Sequence, residues 1–455
     1  MTHVRVCAVV LAAGKGTRMR STRPKMLHQL CGRPMLWYAL RALHDAGVAD
    51  VIVVATRDLA PGVAEIATAA GHVSVRVVVQ EPQRGTGHAV QVALAEREPG
   101  DGTVLVLNGD MPLVEAELVR ATHVACSGAL ALVTARMPLP SSFGRVVRDG
   151  ANVARIVEAR DAAADVLALD EMNAGLYAFD EGKLRAALAS LRDDNAQGEY
   201  YLTDTIAFFA ARGEAIVPVP AGDYRTVLGV NDRTELAAAA ALLNRRLCEA
   251  HMRAGVTIVD PASTYLEPGL ELAPDVTIRP NTSIGRGSRI GAHSEIGPNS
   301  SLQNARVGEH AVVFDSIVLD STLDDFALVG PWANVRGGSN VGTGSSIGNF
   351  VELKAASLAP GVKARHLTYL GDVTIGERTN VGAGTITCNY DGTQKNATTI
   401  GKDVFIGSNT SIVAPLTIGD GAQTGASTVV IRDVPPGARV VGNPARELPQ
   451  KPKPR

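Results

Sequence analysis

Beyond about residue 255 the chain repeats. Branched aliphatics recur every six residues, commonly followed by glycine: Ile284, Ile290 and Ile296; Val341 and Ile347; Ile375 and Val381; then Ile400, Ile406, Ile412 and Ile418. A period of six fits neither a helix nor an ordinary alternating strand. It predicts a parallel β-helix, in which each short strand points one aliphatic inward from a triangular face and a small residue makes the corner. Aromatic content of 4% agrees, because thin coils stack small aliphatics. The phase breaks at about 303 to 335 and 383 to 399, which predicts loops or irregular coils there, the places where a solenoid carries function. The terminal Lys451-Pro-Lys-Pro-Arg455 reads as a disordered tail.

The first half follows a different rule. Val4 to Leu11, Val51 to Thr56, Val75 to Gln80 and Thr103 to Asn108 read as buried strands, with helices near 34 to 46, 58 to 70 and 86 to 97 between them. Such a βαβ succession predicts a mostly parallel sheet covered on both faces, binding ligands outside the carboxyl ends of its strands. Asn231-Asp-Arg-Thr234 reads as a cap for a long helix from Glu235 to His251. The expected organisation is therefore a nucleotide-binding domain over residues 1–230, a linker helix over 231–252 and a repeat domain over 253–455.

Bulk properties narrow the partners. With 44 basic and 46 acidic residues and no basic stripe, the chain lacks the electrostatic footprint of a nucleic-acid binder. Five scattered cysteines, none in a C-x-x-C pair, argue against a disulfide framework and a zinc site, and suit a reducing cytosol. No signal-peptide pattern opens the sequence, and the longest apolar stretch, Leu236 to Leu243, is too short to span a membrane. A cytoplasmic protein without membrane contact is the expectation.

The first strand leads into Leu11-Ala12-Ala13-Gly14-Lys15-Gly16-Thr17-Arg18-Met19, then Ser21 and Pro24-Lys25. Small residues there let backbone N–H groups approach phosphate oxygens, and Lys15, Arg18 and Lys25 supply the cations a triphosphate demands. A dinucleotide fingerprint needs glycine where Met19 stands, and a Walker loop needs Gly-Lys-Ser/Thr after four intervening residues, so both are excluded. Asp110 follows the strand 103–108 in a Gly-Asp turn, where a hard oxygen ligand suits Mg²⁺. In the repeat domain, 364–371 (Ala-Arg-His-Leu-Thr-Tyr-Leu-Gly) and 384–392 (Gly-Thr-Ile-Thr-Cys-Asn-Tyr-Asp-Gly) interrupt the hexads with polar and aromatic groups. Taken singly, Asp110 is a turn residue, Glu158 an exposed strand residue, His366 a structural histidine and Cys388 a small buried hydrophobe.

Taken in order and together, these strings resemble the bifunctional uridylyltransferase/acetyltransferase family that makes UDP-N-acetylglucosamine, over nearly the whole chain. The resemblance implies an α/β protein, with an N-terminal Rossmann-like nucleotidyltransferase domain followed by a left-handed parallel β-helix of hexapeptide repeats. It implies that the loop Leu11, Ala12, Ala13, Gly14 with Arg18 and Lys25 holds UTP, and that Gln80, Gly85 and Thr86 contact the uracil. Asn108-Gly109-Asp110 then ends the strand, with Asp110 and Asn231 as Mg²⁺ ligands, and Gly144, Glu158 and Asn173 hold N-acetylglucosamine 1-phosphate.

In the repeat half the resemblance makes His366 the base of acetyl transfer. Arg336 and Lys354 hold a sugar phosphate, while Tyr369, Asn380, Asn389 and Tyr390 shape the sugar site. Ala383, Ser408 and Ala426 line the groove for acetyl-CoA, the co-substrate, and Lys395 follows the Asn-Tyr loop. At a position where some members carry a cofactor-touching arginine, this chain has Asn443, with Arg439 and Arg446 close by. The family forms homotrimers. Two other readings stand beside it: a monofunctional sugar nucleotidyltransferase with an oligomerising prism, and a non-catalytic regulatory subunit on the same folds.

Overall fold

A computed structural model describes residues 5–448; Val4 and the predicted disordered tail at 451–455 lie outside the described residues. The chain divides into two compact units, Met1–Leu243 and Asn244–Arg455. The helix Arg233–Arg253 runs through the division.

In the first unit the buried apolar runs form the strands Arg5–Ala12, Asp50–Ala55, Arg76–Val79 and Gly102–Asn108, separated by the helices Met35–Asp45, Ala60–Ala69 and Thr86–Ala95. Arg5–Ala12 lies parallel to both Asp50–Ala55 and Gly102–Asn108. Cys7 and Val9 pack with Ala89, Val90 and Ala93 in one core, while Ala8 and Val10 are also fully buried. Both faces of the central strand are thus covered, and its loop ends are left to carry chemistry.

The sheet extends beyond those four strands. Its order is Ile216–Pro220, Leu130–Arg136, Glu171–Asp180, Gly102–Asn108, Arg5–Ala12, Asp50–Ala55, Arg76–Val79. Glu171–Asp180 runs antiparallel to both neighbours, with a register shift between Asn173 and Tyr177. That irregularity falls at Gly175, whose φ of 77° lies in the left-handed region. A Cβ there would collide with the side chain of Asn108, so only glycine lets the two strands close at this point.

The second unit is a three-faced prism of short parallel strands. One inward column runs Leu266, Ile284, Leu302, Val318, Val335, Leu353, Leu370. It continues through Thr387, Ile412 and Val430, and all ten side chains are buried. Full burial of one such aliphatic is worth roughly 1.5–3 kcal/mol, so a stack of them holds coils that have no other core.

The phase break at 303–335 is irregular coil. Where hexads are perfect a turn takes 18 residues, as from Asn281 to Asn299, whereas from Asn304 to Asp320 it takes 16. The inward column survives because the residues are lost at corners. At 383–399 the turn lengthens instead: Thr379 and Val404 are hydrogen-bonded across 25 residues. The excess forms a loop closed by a Tyr390–Lys395 bridge.

Corners break one expectation. Asn281, Asn299 and Asp315 take the left-handed conformation with a ladder of side-chain hydrogen bonds, as short polar residues do. The same conformation recurs at Trp332, Phe350 and Leu367, with φ of 55°, 57° and 41°. These large side chains stand outside the prism, and Trp332 stacks on Phe350 at 5.2 Å between ring centroids.

Candidate functional sites in the two units

The loop after Arg5–Ala12 folds back on itself because Gly16, at φ 60°, has no side chain: a Cβ there would stand 2.7 Å from Lys25 Cβ. The stem of Lys25 therefore lies along the loop. Its ammonium reaches Asp110 Oδ2 at 2.5 Å and Asn231 Oδ1 at 2.9 Å. Asp110 arrives at the carboxyl end of its strand, where Gly109 N donates to Leu11 O. Asn231 is carried by the start of the long helix, where Asp232 caps the amides of Thr234 and Glu235 and Glu235 accepts from Asn231 N. The segment between is tied in by Val230 N donating to Asp110 O.

These groups line a cleft of about 460 Å³ together with Leu11, Ala13, Gly14, Arg18, Gln80, Gly85, Thr86 and Asn108. Ala12 and Gly109 sit behind it as buried or close-packed backbone. Gln80 is buried and donates to Gly85 O at 2.9 Å. Gly85 has φ 102°, and a Cβ would collide with Tyr200 O. Thr86 Oγ1 accepts from Leu202 N.

Gly144, Glu158 and Asn173 form an adjoining group. Asn173 N donates to Gly144 O, and Asn173 Oδ1 accepts from Gly175 N, beside Asn108. A Cβ on Gly144 would stand 3.4 Å from Glu158 Oε2, so glycine keeps that carboxylate accessible from its side. Burial pushes the Glu158 carboxyl above its ordinary value, opposed by the hydroxyl of Thr203, which donates at 3.0 Å. The segment 199–203 thus braces both groups, through Leu202 to Thr86 and through Thr203 to Glu158. Sequence reasoning missed this segment because its role depends on where the fold brings it. Gln83, which lines the cleft and donates to Ala13 O at 2.7 Å, was also missed.

Among the described residues no cluster of three or more His, Cys, Asp or Glu side chains fits a metal ion. Asp110 and Asn231 are instead two oxygens aimed at one cation, Lys25. One carboxylate and one amide oxygen in a phosphate-binding cleft suit Mg²⁺, which takes one or two protein oxygens and completes its shell with phosphate and water.

On the prism, neighbouring coils place Asn349 against His366 and Arg336 against Lys354. His366 is exposed, and its Nδ1 lies 2.9 Å from Asn349 Oδ1. An amide oxygen only accepts, so Nδ1–H is the donor in this contact, and in the neutral ring Nε2 is the basic nitrogen. Arg336 pairs with Glu352, and Lys354 Nζ lies 3.6 Å from Asp372. Gly371 leaves room for Tyr369 Oη and Asn389 Nδ2 to cross it, 3.4 Å apart, and Asn389 also donates to Asp372. Contact with Lys395 holds the Lys354 ammonium above its ordinary value, and contact with Lys354 holds Lys395 below its own.

Register carries the corner of His366 onward: Ala364 pairs with Val381 and Val381 with Ile406. Ala383, Ser408 and Ala426 therefore follow on successive coils, linked by Asn409 N to Ala383 O and Ser427 N to Ser408 O. Asn380 lies opposite Lys363 and Phe405, away from the Tyr369–Asn389 group. Tyr390 is exposed on the inserted loop, its hydroxyl donating to Gly392 O. Asn349, Glu352 and Asp372 were missed by sequence reasoning. The signal lay in coil spacing, which sets Asn349 opposite His366.

Fold and clusters together define a two-domain transferase, with an α/β nucleotidyltransferase half and a hexapeptide-repeat half. Residues 8–198 match the MobA-like NTP transferase domain, and residues 397–432 match the hexapeptide repeat of succinyl-transferase. The Bifunctional protein GlmU of Corynebacterium glutamicum is 44% identical over 95% of this chain and 90% of its own length. That of Mycolicibacterium vanbaalenii is 45% identical over 97% and 91%, and that of Heliobacterium modesticaldum 44% over 95% and 94%. The chain belongs to the bifunctional GlmU family. No helix among the described residues is long and apolar enough to cross a membrane.

Proposed function

We propose that the chain runs two successive steps of UDP-N-acetylglucosamine synthesis, one in each half. On the prism, the amine of glucosamine 1-phosphate attacks the thioester carbonyl of acetyl-CoA, the C–S bond breaks, and coenzyme A leaves as the thiol. His366 Nε2 takes the proton released from the amine and returns it to the leaving sulfur, with Nδ1 held by Asn349. Arg336, Lys354 and Lys395 hold the phosphate. Neighbouring positive charge holds Lys395 below its ordinary value, and an incoming dianion opposes that effect. Tyr369, Asn389 and Tyr390 shape the sugar pocket, while Ala383, Ser408 and Ala426 face the cofactor.

In the first unit a phosphate oxygen of N-acetylglucosamine 1-phosphate attacks the α-phosphorus of UTP and pyrophosphate leaves. The nucleophile is already an anion, so no general base is needed, and the work is positioning and charge neutralisation. Leu11 to Gly14 cradle the phosphates, Arg18 and Lys25 neutralise them, Gln80, Gly85 and Thr86 hold the base, and Gly144, Glu158 and Asn173 hold the sugar. Asp110 and Asn231 would hold Mg²⁺, which supplies charge neutralisation on the phosphates when bound.

The observation that carries this reading is that family residues meet partners in each unit: Lys25 meets Asp110 and Asn231 in one, and in the other His366 meets Asn349 while Arg336 lies opposite Lys354. Exposed Trp332, Phe350 and Leu367 on successive coils favour three prisms packed side by side, and a cytoplasmic location suits cysteines that are not joined in disulfides.

Mass spectrometry of the protein with glucosamine 1-phosphate, acetyl-CoA, UTP and Mg²⁺, omitting one at a time, tests the assignment. UDP-N-acetylglucosamine is expected only from the complete mixture. Product appearing only from ready-made N-acetylglucosamine 1-phosphate would leave a monofunctional nucleotidyltransferase.

A further inference from the structure

We infer that Lys25 is the resident cation of the metal-free cleft and that it bars metal until a nucleotide draws it away. The inference rests on reading Asp110 and Asn231 as the metal-holding pair. The Lys25 side chain is only 7% exposed and Asp110 18%. One Asp110 oxygen faces Gly229, where a Cβ would stand 3.4 Å off, and the other is taken by Lys25 Nζ at 2.5 Å together with Asn231 Oδ1 at 2.9 Å. A divalent ion binding that same Asp110 oxygen would sit about 2 Å from it. The ammonium cannot stay beside such an ion, because two cations so close in a half-buried cleft repel strongly.

Lys25 differs from the other loop cations in this respect. Lys15 and Arg18 are exposed, with no hydrogen-bond or ion-pair partner among the described residues. Their charge is available to a phosphate at any time, whereas that of Lys25 is committed to the two oxygens. The tether is short, since Gly16 presses on the Lys25 stem, so phosphates settling on the Gly14–Thr17 loop lie beside it. They offer its ammonium an alternative anion. Moving the ammonium onto phosphate frees both oxygens at the moment the nucleotide brings further ligands for the metal. Metal and nucleotide therefore enter together, and metal alone binds weakly.

The test is titration of the full-length, nucleotide-free protein with Mn²⁺, counting free ion by its electron paramagnetic resonance signal. Lys25→Met is expected to bind Mn²⁺ at least about tenfold more tightly than the unmodified chain, since it removes a unit charge from the site. Adding Asp110→Asn is expected to abolish the gain. Lys25→Gln, which keeps a polar head, serves where Lys25→Met does not fold. Equal affinity in the unmodified chain and the folded Lys25 variant would overturn the inference while leaving Asp110 as a ligand. A gain that survives Asp110→Asn would overturn the ligand assignment itself.

Discussion

At the scale of single residues, the two halves rely on side chains that orient others. Asn349 is the clearest: it accepts from His366 Nδ1 across one coil spacing, so it fixes which nitrogen is left as base. Asn349→Ala is expected to lower kcat for acetyl transfer by about tenfold or more, as losing an orienting partner does, with uridylyl transfer unchanged. Asn349→Asp separates orientation from mere packing, because a negative charge beside Nδ1 favours the imidazolium. The base must be unprotonated to act, so the acid limb of the pH profile of kcat/KM moves to higher pH in that variant. An unmoved limb would mean that Asn349 only fills space.

The same logic gives Glu158 a pH signature. Its buried carboxyl ionises above the ordinary carboxylate range, and the hydroxyl of Thr203 opposes that shift. A carboxylate accepts sugar hydroxyls better than a carboxyl does, so KM for N-acetylglucosamine 1-phosphate is expected to fall as pH rises through that window. Thr203→Val removes the opposing hydrogen bond, raises the ionisation further and moves the fall to higher pH. Superimposed KM profiles for the two proteins would remove Glu158 from sugar binding.

At the scale of elements, the hexad pattern and the buried runs of the first half were legible because each strand reports its own burial. Arg5–Ala12, Asp50–Ala55 and Gly102–Asn108 all fall where β-branched runs placed them. Glu171–Asp180 was not: it holds Met, Asn, Gly, Tyr and Phe, and pairs antiparallel inside a mostly parallel arrangement, which only the completed sheet dictates. Thr387 shows the limit of pattern in the prism. It occupies an aliphatic column, so the repeat invites Thr387→Val. The structure predicts the reverse, because its hydroxyl accepts from Gly371 N at 2.7 Å and donates to Gly371 O at 3.0 Å. Valine would leave that buried N–H without a partner, at about 1–3 kcal/mol. A lower urea midpoint for Thr387→Val, with unchanged m, is the expected result; a higher one would show that shape alone governs the column.

At the scale of the whole molecule, a functional boundary and a compositional boundary do not coincide. The composition changes after the long helix, and the nucleotide-binding domain is expected to end ahead of that helix at residue 230, yet the first compact unit runs on to Leu243. The difference matters because the first turn of that helix belongs to the nucleotide cleft. Asn231 meets Lys25 there, Arg233 donates to Met19 O behind the phosphate loop, and Cys31 Sγ donates to Ala240 O further along. From Asn244 onward the helix serves the other unit, its amide side chain donating to Thr264 O and accepting from Leu266 N at the start of the prism. One continuous helix therefore completes the first unit with its amino end and closes the first coils of the second with its carboxyl end. A fragment of residues 1–243 keeps every group of the cleft and is expected to transfer uridylyl groups at a rate comparable to the full chain. A fragment of 1–230 lacks Asn231 and the packing of the helix, and is expected to lose that activity even where circular dichroism shows it folded. Equal activity from both fragments would show that Asn231 holds neither Lys25 nor metal in any way that matters to the reaction.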